Sequence, residues 1–400
     1  MNAFVLAAAR VATPTKMLEP GYLVVQDGLI SAVGNGSPPG TGLPFADLGD
    51  LLLAPGFIDV HVHGGGGYQV NCATACEVEE SVREMARFHA RHGTTALLAT
   101  TVSDSPEALR AAVIGVAAVA NTPGGGVIGS NLEGPWIARS KAGAQFPEAI
   151  RPPSVPEFED LHARSAGTLR LFTLAPELDG ASELIAAARS KGVVVAIGHT
   201  DADYETARAA FDAGARHATH LFNAMAPIHQ RRPGPVTAAL EDPRVFLEVI
   251  ADGVHVHPAL ISLVATVAPE RLVLMTDAIG ATGTPPGRHR LGPLEVVVSD
   301  GRAVLANQPT TVAGSVLTMD RAVALAVQTA GVPLLGALRA ASLHPALALG
   351  EERKGRIKKG ADADLVILRA DFSVVAAVVC GRTVYDPDGV LAGLAGVPLS

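Results

Sequence analysis

The 400-residue chain is 48% hydrophobic and 18% charged with a mean hydropathy of +0.30, which excludes global disorder and leaves material for a large buried core. A formal charge of −8 removes the basic excess that a nucleic-acid surface needs, although one or two local arginines suffice for a small anionic substrate. Cys72, Cys76 and Cys380 form no CxxC pair, so neither a disulfide scaffold nor a cysteine-held metal is expected, and a reducing, cytoplasmic setting fits.

The first residues, MNAFVLAAARVATPT, lack the basic start of a signal peptide, and Phe4-Val5-Leu6 reads as a strand. No apolar run reaches the roughly 18–20 residues of a membrane span, so no membrane partner is expected. Tyr22 to Ile30 has the pattern of a strand and hairpin turn around Asp27-Gly28. From about residue 55, short apolar runs alternate with longer amphipathic ones. The runs are 56–62, 94–102, 127–132, 169–174, 193–197, 217–219, 245–250 and 272–275, and they predict eight buried strands. The run at 217–219 is weak by itself and takes its assignment from its place in the series.

The intervening segments carry helix starts. Thr74-Ala75-Cys76-Glu77 has capping-box spacing, and Val78, Val82, Met85 and Phe88 form a stripe behind it, with Glu79 and Arg83 paired outside. Ser105-Pro106 places an N-cap before proline at the first helical position. The segments 179–191 and 201–213 end at Gly192 and Gly214, and His257-Pro258 opens another helix. The alternation over 55–350 predicts an α/β fold, a (β/α)8 TIM-like barrel. Strand patterns return within 355–385, so residues 1–54 and 351–400 are expected to pair into a small β-sandwich domain, with a Gly- and Leu-rich tail after Pro387 loosely held.

Chemistry in such a barrel is built at the C-terminal ends of its strands. The first run ends in His61-Val62-His63, the third in Glu133, the fifth in His199, the sixth in His220, the seventh leads to His255, and the eighth to Asp277. An HxH pair on a strand points both side chains to one face. Singly, each group has a plain structural reading: a hydrogen-bonded loop histidine, a Glu-Gly-Pro turn, a helix-capping aspartate. Together they suit a borderline divalent ion, Zn²⁺ or Fe²⁺, one or two in number. Asp277 then takes a proton from an attacking water and passes it to the leaving group.

These residues resemble the amidohydrolase superfamily and, within it, the N-acetylglucosamine-6-phosphate deacetylase family. The stretches that carry the resemblance are Pro55-Gly56-Phe57-Ile58-Asp59-Val60-His61-Val62-His63-Gly64, Leu132-Glu133-Gly134-Pro135-Trp136 and Thr219-His220-Leu221-Phe222-Asn223-Ala224-Met225, with Lys359-Gly360-Ala361-Asp362-Ala363-Asp364 near the end. The resemblance implies that Glu133, His199 and His220 hold the principal metal, and that His61 and His63 add a second where two are used. It implies Asp277 as acid/base and His255 as the group that polarises the acetamide carbonyl. Asn223, Ala224 and Arg231 are implied as sugar-phosphate contacts, and Val312, Ala313 and Gly314 as a sugar-binding backbone segment. In Gly143-Ala144-Gln145, Gln145 stands where the family carries a sugar-contacting histidine. The implied reaction releases acetate from N-acetylglucosamine 6-phosphate, in a homodimer.

Other readings share the barrel. A cyclic-amide hydrolase bridges two ions with a carboxylated lysine on strand four, where this chain has Leu174-Ala175-Pro176-Glu177. A deaminase needs the strand-five and strand-six histidines without Glu133. An inactive scaffold is expected to lose ligands that this chain keeps. A relaxed deacetylase of a related or unphosphorylated N-acetyl hexosamine also stays open.

Overall fold

The computed structural model describes residues 3–394. Eight parallel strands form one sheet in sequence order: β1 (Phe57–Val62), β2 (Thr94–Thr101), β3 (Val127–Glu133), β4 (Leu169–Leu174), β5 (Val194–Ile197), β6 (His217–Ala218), β7 (Phe246–Ile250) and β8 (Leu272–Met275). Every residue of β1, β2 and β3 is buried, as expected of strands covered by helices outside and packed side chains within. Closure is made just beyond the strand ends. Asp277 N donates to His61 O at 2.9 Å, and His63 N to Ala278 O at 2.8 Å. Below them, Thr276 Oγ1 donates to the buried Asp59 Oδ2 at 2.6 Å. The weak sixth run forms only two residues of ladder, because the chain turns away before His220.

The helices follow their sequence signals. α1 (Ala75–Ala90) starts at Thr74 with a reciprocal Thr74–Glu77 capping box, a device worth about 1 kcal/mol. It buries Val78, Val82 and Met85, leaves Phe88 half-buried, and pairs Glu79 with Arg83 at 2.9 Å outside. α2 (Pro106–Val119) takes Ser105 as its N-cap. α3 (Val155–Arg164), α4 (Ala181–Ser190), α5 (Tyr204–Ala213), α6 (Gly234–Glu241), α7 (Pro258–Val267) and α8 (Met319–Gln328), with the short helices Leu334–Ala340 and Leu343–Ala348, complete the outer layer. No helix among the described residues is long and apolar enough to cross a membrane.

The two chain ends build two sheets face to face. One is four-stranded and contains Ala3–Ala8, Gly21–Gln26, Leu29–Asn35 and Phe45–Asp47. The other is six-stranded and joins Arg10–Ala12, Met17–Leu18 and Leu52–Pro55 to Leu365–Leu368, Val374–Val379 and Arg382–Tyr385. Leu6, Leu23 and Val25 of the first sheet share a core with Leu53, Ile367 and Val375 of the second. The expected loose tail is corrected as far as residue 394. Leu391 and Leu394 are buried in that core, since an apolar side chain gains more from a sandwich edge than from water. Residues 395–400 lie outside the described residues.

One element was not anticipated. Between β8 and α8, strands Gly287–Leu291, Leu294–Ser299, Arg302–Leu305 and Gln308–Val312 form an antiparallel meander. Its signal was present in the alternation of Val296, Val298, Ala303 and Leu305 around Asp300-Gly301, a two-residue hairpin turn with both residues at positive φ. The meander packs Leu291 and Val296 on Val102 and Ile279 at the barrel mouth.

Candidate active site

The groups read from the strand ends meet in one place. His199 Nε2 and His220 Nε2 lie 3.1 and 2.8 Å from Glu133 Oε1, and 3.0 Å from each other. His61 Nε2 lies 3.3 Å from His63 Nε2 and 3.4 Å from Glu133 Oε1. His63 Nε2 lies 3.3 Å from Glu133 Oε2 and 3.0 Å from Asp277 Oδ1. Glu133 is therefore shared by two buried groups, His61–His63–Glu133 and Glu133–His199–His220, each able to hold a metal ion. Donors at 2.0–2.2 Å from a tetrahedral ion sit about 3.3 Å apart, close to the spacings here.

The chemistry of these donors fits an ion. His63 Nδ1 faces Thr100 O at 3.0 Å, and His199 Nδ1 faces Lys141 O at 2.7 Å. A carbonyl can only accept, so both rings carry their proton on Nδ1 and turn the Nε2 lone pair inward. His61 is turned the same way, its Nδ1 on the Glu248 carboxylate. Several lone pairs aimed at one point repel each other until a cation sits among them. Burial alone would push the Glu133 carboxyl up, but the surrounding imidazoles outweigh it and hold Glu133 well below its usual range.

The backbone is bent to present these groups. His199, His220 and Asp277 have φ of +47°, +29° and +52°, a left-handed region that costs a non-glycine residue on the order of 1–3 kcal/mol. Gly134, directly after Glu133, has φ +85°, and a Cβ there would lie 2.1 Å from Ser103 Oγ. Gly314 allows similar closeness at Asp277, since its Cβ would stand 2.9 Å from Asp277 O. For Asp277, burial raises the carboxyl, yet the adjoining His63 and His61 imidazoles outweigh it, leaving a net lowering. His255 Nδ1 is 2.7 Å from Asp252 Oδ2. Desolvation lowers His255, and Asp252 more than reverses it, holding the imidazole above its ordinary value.

A cavity of about 380 Å³ opens over the cluster, within the roughly 300–1,000 Å³ of small-molecule sites. Ala144, Gln145, Asn223, Ala224, Val312 and Gly314 line it together with His63, Glu133, His199, His220, His255 and Asp277. Ala313 is buried behind the wall in the meander core. Arg231 is not brought in. It is exposed on the loop between His220 and α6, outside the lining. Gln145 is occupied at both ends of its amide: Oε1 accepts from Ser103 N at 2.6 Å, and Nε2 donates to Glu133 Oε2. Asp252 and Glu248 were missed. Asp252 stands three residues before His255, in Ala251-Asp252-Gly253-Val254-His255, and Glu248 interrupts the apolar run of β7, a charge in mid-strand that was the available signal.

The chain matches the amidohydrolase family over residues 52–384. It is 41% identical to human N-acetylglucosamine-6-phosphate deacetylase over 351 residues, 86% of this chain and 85% of the relative. It is 39% identical to N-acetylgalactosamine-6-phosphate deacetylase of Escherichia coli O157:H7 over 373 residues, 92% of this chain and 96% of the relative. A solved structure of the Mycobacterium smegmatis N-acetyl-D-glucosamine-6-phosphate deacetylase, an aspartate-to-alanine mutant in complex with N-acetyl-D-glucosamine-6-phosphate, superposes with a TM-score of 0.91 at 42% identity, covering 96% of this chain and 100% of that one. With the eight-stranded barrel and the shared Glu133 cluster at its mouth, these similarities place the chain in the amidohydrolase family.

Proposed function

We propose that the chain hydrolyses the N-acetyl group of N-acetylglucosamine 6-phosphate to glucosamine 6-phosphate and acetate. The observation that carries the proposal is the convergence of His61, His63, Glu133, His199, His220 and Asp277 under a cavity of substrate size. The relatives' names and the M. smegmatis complex support the substrate. Glu133, His199 and His220 would hold the principal ion, and His61 and His63 would hold a second with Glu133. Imidazole nitrogen and carboxylate oxygen suit Zn²⁺ or Fe²⁺. When bound, such an ion activates water and polarises a carbonyl.

The chain's own groups supply the proton chemistry. Asp277 Oδ1, ionised and facing His63, receives the proton of the attacking water and delivers it to the departing amine. His255 keeps a proton on Nδ1 through Asp252 and, with its raised affinity for protons, presents Nε2–H to the acetamide oxygen. Asn223, Ala224, Ala144 and the Val312-Ala313-Gly314 segment shape the sugar site. Arg231 is exposed on the loop whose earlier residues line the cavity, outside the lining itself, and on this reading it reaches the phosphate only when substrate is bound. The same reading carries a cytoplasmic homodimer.

A second reading rests on Gln145. Its amide is spent on Ser103 and Glu133, so the sugar contact expected of a histidine there is weakened and sugar choice is relaxed. Acetate release measured on the gluco- and galacto-configured 6-phosphates and on unphosphorylated N-acetylglucosamine, at known metal content, tests both. Preference for the gluco 6-phosphate supports the first reading, and equal rates on all three sugars reduce it to a general N-acyl deacetylase. Ammonia in place of acetate overturns both.

A further inference from the structure

Glu248 takes no part in the chemistry above, yet it is fully buried in the middle of β7. An ionised carboxylate at such depth costs several kcal/mol unless its oxygens are held. The neighbouring Leu247, Val249 and Ile250 are apolar and equally buried. Packing alone would be met more cheaply by another apolar side chain.

The contacts of Glu248 show what it holds. Its Oε2 lies 3.3 Å from His61 Nδ1 on β1, and its Oε1 lies 3.0 Å from His217 Nδ1 on β6. Its main-chain oxygen accepts the N–H of Leu221, directly after His220, at 2.7 Å. One residue thus braces both metal-binding histidine segments across the barrel interior. His217 offers no ligand atom to the cluster. Its Nε2 has no partner, and its ring packs beside Phe246, so it acts as a prop for the carboxylate. His61 also differs from its neighbours. His63 and His199 are oriented by main-chain oxygens, which no substitution removes, whereas a side chain orients His61.

We infer that Glu248 is a positioning residue for the ion held by His61 and His63. By accepting the Nδ1 proton of His61, it leaves the Nε2 lone pair facing the cluster and strengthens that nitrogen as a donor. The inference rests on the two-ion reading above and adds to it a reason why the two sites respond differently to one change.

The test is metal content and affinity of the purified chain, by elemental analysis after dialysis against a graded chelator series, for wild type and Glu248→Gln. Wild type is expected to hold two ions. The variant is expected to keep the ion of Glu133, His199 and His220 and to bind the other about 10- to 100-fold more weakly. If Glu248→Gln does not fold, Glu248→Asp, which keeps the charge but is one methylene too short to span both imidazoles, is expected to show the same selective loss. Two ions at wild-type affinity in the variant overturn the inference, and so does an equal weakening of both, which marks only a loosened barrel. A wild type that holds a single ion overturns the two-ion reading and the inference together, whereas a two-ion wild type with an unaltered variant overturns the inference alone.

Discussion

The mouth of the barrel and the cleft between its base and the β-sandwich both bury charged side chains, and they satisfy them in opposite ways. In the cleft, Lys354 Nζ lies 2.8 Å from Asp364 Oδ2 and 3.2 Å from Asp362 Oδ2, and Arg353 reaches Asp362 at 3.3 Å. Asp364 Oδ1 also accepts Cys380 N at 2.7 Å. Two cations face two carboxylates, and the account closes within the chain. At the mouth, imidazole lone pairs and the Glu133 and Asp277 carboxylates face one point with no lysine or arginine among them. That account closes only with a cation from outside. The cleft is the larger space, about 890 Å³ against about 380 Å³, so size does not identify the reactive site here. The unbalanced donor set does.

The sharpest way to break this contrast is to remove a ligand of the principal ion. Glu133→Gln, His199→Ala or His220→Ala is expected to lose the principal ion and the activity together, and full metal content in the Glu133 variant would show that the ligand set is wrong. Next comes Asp277→Asn, which is expected to lower kcat by at least ~10² while leaving metal nearly intact. A fast, metal-loaded Asn variant removes Asp277 from the proton path.

The cleft should answer differently. Lys354→Met leaves Asp362 and Asp364 without their buried cation and is expected to cost about 3 kcal/mol in denaturant unfolding, with metal content and kcat unchanged. Burial lowers the affinity of Lys354 for its proton, and Asp364 with Asp362 outweighs burial and holds it above the usual 10.5. A raised amine contributes stability that is full below its unfolded value and is lost as pH rises through the folded one. The Lys354 contribution, read as the difference between wild type and variant, should therefore stay flat from pH 7 to 10. A loss of metal in Lys354→Met would erase the contrast between the two ends.

Smaller effects probe the substrate side of the mouth. Arg231→Ala is expected to raise KM tenfold or more for the 6-phosphate and to change it little for the unphosphorylated sugar, in line with roughly 1.5–3 kcal/mol for an Arg–phosphate fork. Equal effects on both sugars would remove Arg231 from phosphate recognition, as its exposed position outside the cavity lining would then explain. Gln145→His is expected to shift the kcat/KM ratio between gluco and galacto substrates by only a few-fold. An unchanged ratio would leave Gln145 a partner of Ser103 and Glu133 with no part in sugar choice.

Much of this molecule was legible before any coordinates. Apolar runs of strand length separated by capped amphipathic segments specify the barrel, because burial imposes periodicity and helix ends impose Ser, Thr and Asp. Where each strand ends was equally readable, and so were His61, His63, Glu133, His199, His220 and Asp277. What only the tertiary structure decided is which buried polar atoms meet. Periodicity reports that a residue faces inward and says nothing of its partner across the barrel. His61 and Glu248 stand 187 positions apart in the chain, and their contact exists only because β1 and β7 flank β8 in a closed ring. The same holds for Gln145, whose spacing pointed to a sugar and whose amide lies on Glu133, and for Arg231, whose loop leaves it outside the cavity. Hydrogen bonds act over about 3 Å with strict direction, so they are settled by the final fold and not by the local pattern that builds it.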